Sequence, residues 1–144
     1  MRILSVDLGE KRVGLAISDP LGFTAQGLET LAVVSKQKAL ESLVKLCRER
    51  GVEEIVVGLP VNMNGTLGPK ANEALDWVKR LEEALALPVK TWDERLTSRE
   101  AGRLMIEEGL SRGRQRGESD RLAATLILQN YLESKRARNS HENS

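Results

Sequence analysis

Asp7, the adjacent pair Asp93 and Glu94, and Asp120 are the residues of this 144-residue chain whose surroundings could make a carboxylate do chemistry. Asp7 lies near the end of an otherwise apolar run. In a strand covered on both faces its carboxylate is costly unless paired, hydrogen-bonded or bound to a metal. Asp-Leu-Gly is also good turn chemistry, so a turn residue fits as well. Asp93 and Glu94 close the run Val89–Asp93, at the kind of carboxyl edge where open α/β sheets place their sites. Solvated strand-end charge, or a pair between Glu94 and Arg95, is the plainer alternative. Asp120 falls in the first turn of the last expected helix, where the helix dipole favours an acid without any chemistry. The single histidine, His141, sits in a polar C-terminal stretch. Hydrolysis that depends on an imidazole base is therefore excluded, which leaves carboxylates, lysines, hydroxyls or metals.

Two further segments bear on substrate. The loop from Gly58-Leu-Pro60 through Asn62, Asn64, Gly65 and Gly68 could cradle a phosphate on backbone amides, and it could equally be a plain connection. It has neither the Walker lysine nor dinucleotide-binding spacing. Arg112, Arg114 and Arg116 alternate with small polar residues in Gly109–Glu118, a basic loop that suits a polyanion and reads also as solvated surface. The formal net charge is +1, so global charge does not argue for nucleic acid. One cysteine, Cys47, excludes an internal disulfide framework, as suits a reducing cytoplasm. No signal peptide and no bilayer-spanning run are expected, hence no membrane partner.

These residues need elements to hold them. Arg2–Leu8 and Arg12–Ser18 read as a hairpin joined at Gly9 and Glu10, with a weaker third strand between Ala25 and Val34. Ser35 caps a helix with apolar residues at Ala39, Leu40, Leu43, Val44 and Cys47, closed by Gly51. Glu54–Gly58 is a short buried strand. Pro69 opens a second helix with Ala71, Leu75, Val78, Leu81 and Leu85 on its buried face. Val89–Asp93 is the next strand. Thr97 and Glu100 form a capping box for a helix to about Gly109. Ser119 caps a last helix whose core face is Leu122, Ala123, Leu126, Ile127 and Asn130–Tyr131. One domain spans 1–133, and 134–144 reads as a polar, disordered tail. The later strands are joined by crossover helices and should lie parallel to the first.

Four blocks of this pattern resemble one family. They are Asp7-Leu-Gly9 with Arg12-Val-Gly14-Leu-Ala16-Ile-Ser18-Asp19; Gly58-Leu-Pro60 with Asn62-Met-Asn-Gly65; Asp93-Glu94-Arg95-Leu-Thr97-Ser98 with Ala101; and Asp120 with Ala123-Ala124 and Ile127-Leu128. In this order they resemble the YqgF family, also called RuvX, across nearly the whole domain. The resemblance implies an RNase H-like α/β fold related to the resolvase RuvC: a five-stranded mixed sheet of order 3-2-1-4-5, flanked by helices. Members are described as Holliday junction resolvases and as nucleases that process the 5′ end of pre-16S rRNA in the bacterial cytoplasm. By the family pattern Asp7, Glu94 and Asp120 form the acidic site. In RuvC-type relatives the second acid ends the fourth strand, where this chain has Gly58-Leu-Pro60, so its role would have moved to Glu94.

The activity implied is two-metal phosphodiester hydrolysis, with Asp7, Glu94 and Asp120 as ligands. Hard oxygen donors without histidine favour Mg²⁺ or Mn²⁺ over zinc. Arg12, Asn62, Arg95, Arg112, Arg114 and Arg116 would contact the nucleic acid, chiefly its phosphates. Trimming an rRNA end is the expected role. Resolving a four-way junction symmetrically would require a homodimer. Two rivals remain. One is an ATP-binding lobe, because Asp7-x-Gly9 also resembles the first phosphate loop of actin-like ATPases and sugar kinases. The other is a non-catalytic protein that binds nucleic acid or acts in transcription.

Overall fold

Dense Val, Ile and Leu in the first eighteen residues build a hairpin. In the computed structural model, which describes residues 1–97 and 116–142 except the side chains of 116–120 and 140–142, β1 (Ile3–Leu8) and β2 (Arg12–Ser18) pair antiparallel with Asp7 opposite Gly14. The Gly9 amide donates to the Arg12 carbonyl at 2.9 Å. A Cβ on Gly9 would come within 2.6 Å of that oxygen, so the turn demands glycine.

The one strand expected between Ala25 and Val34 is split. β3 (Ala25–Gly27) pairs with Ala16–Ser18, and β4 (Leu31–Ala32) pairs with Arg12 and Val13 of the same β2. α1 (Lys36–Arg50) starts on the Ser35 hydroxyl, which accepts from the Lys38 amide, and ends at Gly51 with φ 65°. β5 (Glu54–Leu59) then runs parallel to β1, and β6 (Val89–Asp93) runs parallel to β5 after α2 (Pro69–Leu85). The sheet order is β3-β2-β1-β5-β6, which is the expected five-strand order, and β4 adds a sixth strand on β2.

Strand alternation divides the core into two layers. Leu4, Val6, Val13, Leu15, Ile55 and Val57 face α1 and α2. Ile3, Ala16 and Val56 face the last helix, α3 (Arg116–Glu142), through its Ala124, Ile127, Leu128 and Tyr131. The helical faces match expectation in part, at Ala71, Val78, Leu81 and Leu85 of α2 and at Ile127 and Tyr131 of α3. On α2 the buried positions are Ala71, Ala74, Trp77 and Leu81, while Leu75 is exposed. On α3 the buried residues include Ala124 and Leu128 rather than Leu122 and Ala123. α3 also begins before Ser119 and continues to Glu142, past the expected boundary at 133. The helix expected over 97–109 lies outside the described residues beyond Thr97, which closes a 3-10 turn at Glu94–Leu96. Among the described residues no helix is long and apolar enough to cross a membrane.

Candidate functional site

The carboxyl ends of β1, β5 and β6 form the edge that carries the acids. On β1, Ser5 is buried, and its hydroxyl donates to the Ala124 carbonyl of α3 at 2.7 Å. Two residues on, Asp7 shares that face and is half-buried. β5 continues beside it: Val6 pairs with Val57, so Gly58 follows next to Asp7.

Gly58 is where the second acid arrives. A Cβ there would lie 2.9 Å from Glu94 Oε1 and 2.8 Å from Ile127 Cδ1. The Glu94 carboxylate therefore rests over Gly58, on the α3 side of the sheet and next to the strand that carries Asp7. Asp93 pairs in register with Leu59 at the end of β6, and its carboxylate is committed elsewhere. It accepts from the Arg95 amide at 2.9 Å and from the Arg95 guanidinium at 2.8–3.1 Å, which caps the 3-10 turn. The guanidinium, with the amide, holds the Asp93 carboxyl below the usual carboxylate range. The structure thus brings Asp7 and Glu94 to one face and ties Asp93 to Arg95.

Asp120 lies in α3, one turn before Ala124 and in phase with the buried positions Ala124, Ile127 and Tyr131. Its side chain is outside the described residues. α3 runs antiparallel to β1, because Lys135 lies by Met1 and Ala124 by Ser5, so its N-terminal end is the one toward Asp7. Asp120 occupies the second turn rather than the first.

The expected substrate contacts fall in three groups. Arg12 is exposed at the start of β2 and shares the strand face of Gly14 and Ala16, the face that carries Asp7. Arg95 and Asn62 meet, the guanidinium reaching the Asn62 carbonyl at 3.5 Å. Arg112 and Arg114 lie outside the described residues, and Arg116 is the first residue of α3.

Three amides of the 60–68 loop are bonded within the loop itself. These bonds run from Asn62 N to Thr66 O, from Gly65 N to Asn62 O, and from Thr66 N to Asn64 Oδ1. The Asn62 side chain is itself bonded to Thr66 Oγ1 at 3.1 Å. The loop is a self-closed hairpin at the rim of the site.

Ser5 went unread in the sequence, and Gly58 was read as the start of a loop and part of a family block but not as the seat of Glu94. Gly58 did carry a signal, since a glycine inside an apolar strand run marks a close approach. Ser5 carried none, because its role depends on a helix more than a hundred residues away.

The donor set fits a hard divalent cation. Asp7 and Glu94 offer carboxylate oxygens on one face, and Asp120 lies on the helix that covers it. Among the described residues no group of three ligating side chains is gathered.

A mixed β3-β2-β1-β5-β6 sheet, with Asp7 near the carboxyl end of β1 and Glu94 just after β6, has the RNase H-like fold that RuvC shares. Within that fold class the chain belongs to the RuvX family, whose model, described as a Holliday junction resolvase, matches residues 1–134. A relative from Clostridium botulinum (strain Alaska E43 / Type E3) is 53% identical over 92% of this chain and 97% of its own length. One from Syntrophomonas wolfei is 53% identical over 92% and 94%. Both are named "Putative pre-16S rRNA nuclease". Among solved structures, Thermus thermophilus RuvC in complex with a Holliday junction substrate has a TM-score of 0.60 at 19% identity, covering 94% of this chain and 96% of that one. The fowlpox virus Holliday junction resolvase has a TM-score of 0.56 at 16% identity, covering 93% and 99%. At these identities the likeness is one of fold.

Proposed function

We propose that this protein is a metal-dependent nuclease that hydrolyses phosphodiester bonds in the cytoplasm and matures the 5′ end of pre-16S rRNA. The observation that carries the reading is the Glu94 carboxylate seated over Gly58 beside the Asp7 strand, in a chain about half identical to relatives named for that activity. Asp7, Glu94 and Asp120 hold divalent cations of the Mg²⁺ or Mn²⁺ type, two in the full site. Bound there, such ions lower the pKa of the attacking water and neutralise charge on the leaving oxygen. Asp7 on β1 and Glu94 after β6 would hold the ions from either side of β5. Asp93 holds Arg95 at the rim, and Arg12, Arg95 and the segment Arg112–Arg116 meet backbone phosphates, with Asn62 at the same rim.

The family description supports a second reading, hydrolysis of branched DNA. Symmetric resolution needs two sites and hence a homodimer, whereas trimming an RNA end needs one. The test offers one preparation both a 16S precursor with its 5′ leader and a four-way junction, with Mg²⁺ or Mn²⁺. Cleavage of the leader alone supports rRNA maturation. Paired cuts in the junction with an intact leader move the assignment to the second reading. No cleavage of either removes the nuclease reading.

A further inference from the structure

At the end of the sheet remote from the acids, the β2–β3 turn presents an aromatic side chain on a stiff frame. Asp19 builds that frame: Oδ1 accepts from the amides of Phe23 at 2.7 Å and Thr24 at 2.8 Å, and Oδ2 accepts from Leu21 at 3.3 Å. Gly22 supplies the turn with φ 76°. The N-terminal ammonium adds a strut to the Pro20 carbonyl at 2.7 Å. Phe23, the only phenylalanine of the chain, is 56% exposed on this frame, and Leu21 is 73% exposed. Both border a cavity of about 350 Å³ whose floor is Ile3 and Leu132 and whose rim carries Lys135 and Arg136.

Arg136 supplies a cation at this cavity beside Lys135, which is ion-paired with Glu54. No carboxylate among the described residues lines it. Asp19 turns both oxygens into its own turn. Glu54, which lies under Lys135 at 3.1 Å, is buried and also accepts from Tyr131 Oη at 2.7 Å. An exposed ring beside cationic side chains is the arrangement that stacks bases and follows the phosphates of a single strand. A cationic side chain also lies on the way to the acids: the Arg121 stem passes over Gly27 of β3, where a Cβ would come within 2.5 Å of its Cγ. Arg12 stands at the far end of the neighbouring β2.

We infer that the Phe23 turn and the Lys135–Arg136 rim form a second RNA-binding site, which holds the single strand that continues from the cut along the β3 edge. This rests on the nucleic-acid reading of the acidic site and extends it to a distant anchor. From Asp7, opposite Gly14, to Asp19 is five residues of β2 and its end, roughly 17 Å at strand rise, or about five stacked nucleotides.

The test uses the full chain with the Phe23→Trp substitution and a uniform oligouridylate of about a dozen nucleotides, within the span of such single-strand sites, in EDTA, where no cutting occurs. The fluorescence of the introduced indole should be quenched on binding, against an unchanged background in the unsubstituted protein. Phe23→Ala should weaken binding of the same strand about tenfold or more, as expected for a lost base–aromatic stack. Arg136→Ala should reduce the salt dependence. Because cleavage is not read, these outcomes stand or fall apart from the assignment of the acids. Absent quenching with unchanged affinity overturns the inference. A change in self-association by Phe23→Ala, with RNA affinity intact, overturns it too and makes the patch a contact between protein copies.

Discussion

Asp93 and Glu94 are chain neighbours whose carboxylates go to different places, and the difference predicts different mutants. Glu94 reaches the α3 face over Gly58, while Asp93 is locked to Arg95. Glu94→Gln should lose most turnover with little change in Tm. Asp93→Asn should keep more of its turnover and lose stability, on the order of 1 kcal/mol, because Arg95 and the 3-10 turn lose a charged acceptor. The carboxyl of Asp93 is held below its usual range by Arg95. Its contribution is thus full above the unfolded carboxylate pKa near about 4 and disappears as pH falls through the lower folded value. The stability gap between wild type and Asp93→Asn should therefore close in acid. Gly58→Ala provides the matching test from the other side, since its new methyl meets Glu94 and Ile127 at once. It should cut turnover as deeply as Glu94→Gln. If Asp93→Asn is the inactive but stable protein, the two roles must be exchanged.

At the scale of elements, the site depends on how α3 is pinned across the sheet. Two polar pins do this at different distances from the acids. The Ser5 hydroxyl bonds the Ala124 carbonyl one turn from Asp120, and the Tyr131 hydroxyl bonds buried Glu54 nearly two turns further along. Ser5→Ala and Tyr131→Phe should each cost about 1–2 kcal/mol in denaturant unfolding. Only Ser5→Ala should also slow cleavage, because it frees the helix beside Asp7. An equal loss of turnover in both would mean that α3 answers as a rigid whole. These pins were hidden from sequence reading, whereas the elements that they join were mostly legible. Ser35 and Gly51 marked both ends of α1 because capping is local chemistry. On α2, Ala71, Val78, Leu81 and Leu85 were legible, but Ala74 and Trp77 were not: they share a stripe with Ala71 and Leu81, and choosing them over Leu75 depends on what α1 and β5 offer. The start of α3 was missed because Ser119 looks like a cap, whereas the helix runs through it from Arg116. At the site, the acids were visible as residue types, but which of Asp93 and Glu94 faces Asp7 was decided by where β6 ends.

For the whole molecule, the gathered carboxylates have a thermodynamic consequence that needs no substrate. Asp7 and Glu94 share one face, and the folded chain alone sets them there. Like charges held together destabilise the native state relative to an unfolded chain that lets them separate. A cation that binds only the assembled site reverses this by mass action, adding about 2.7 kcal/mol when its concentration is a hundredfold above Kd. For a domain of this size that is a rise in Tm of several degrees. Mg²⁺ or Mn²⁺ should therefore raise the Tm of the wild-type protein, and EDTA should return it. Asp7→Asn should gain little when metal is added, because one of the proposed ligands is gone. Scans with NaCl matched in ionic strength separate this from screening, which would lift the wild type without any divalent ion. Equal metal-induced rises in wild type and Asp7→Asn, or none in either, would remove Asp7 from the metal site and with it the hydrolytic scheme built on that residue.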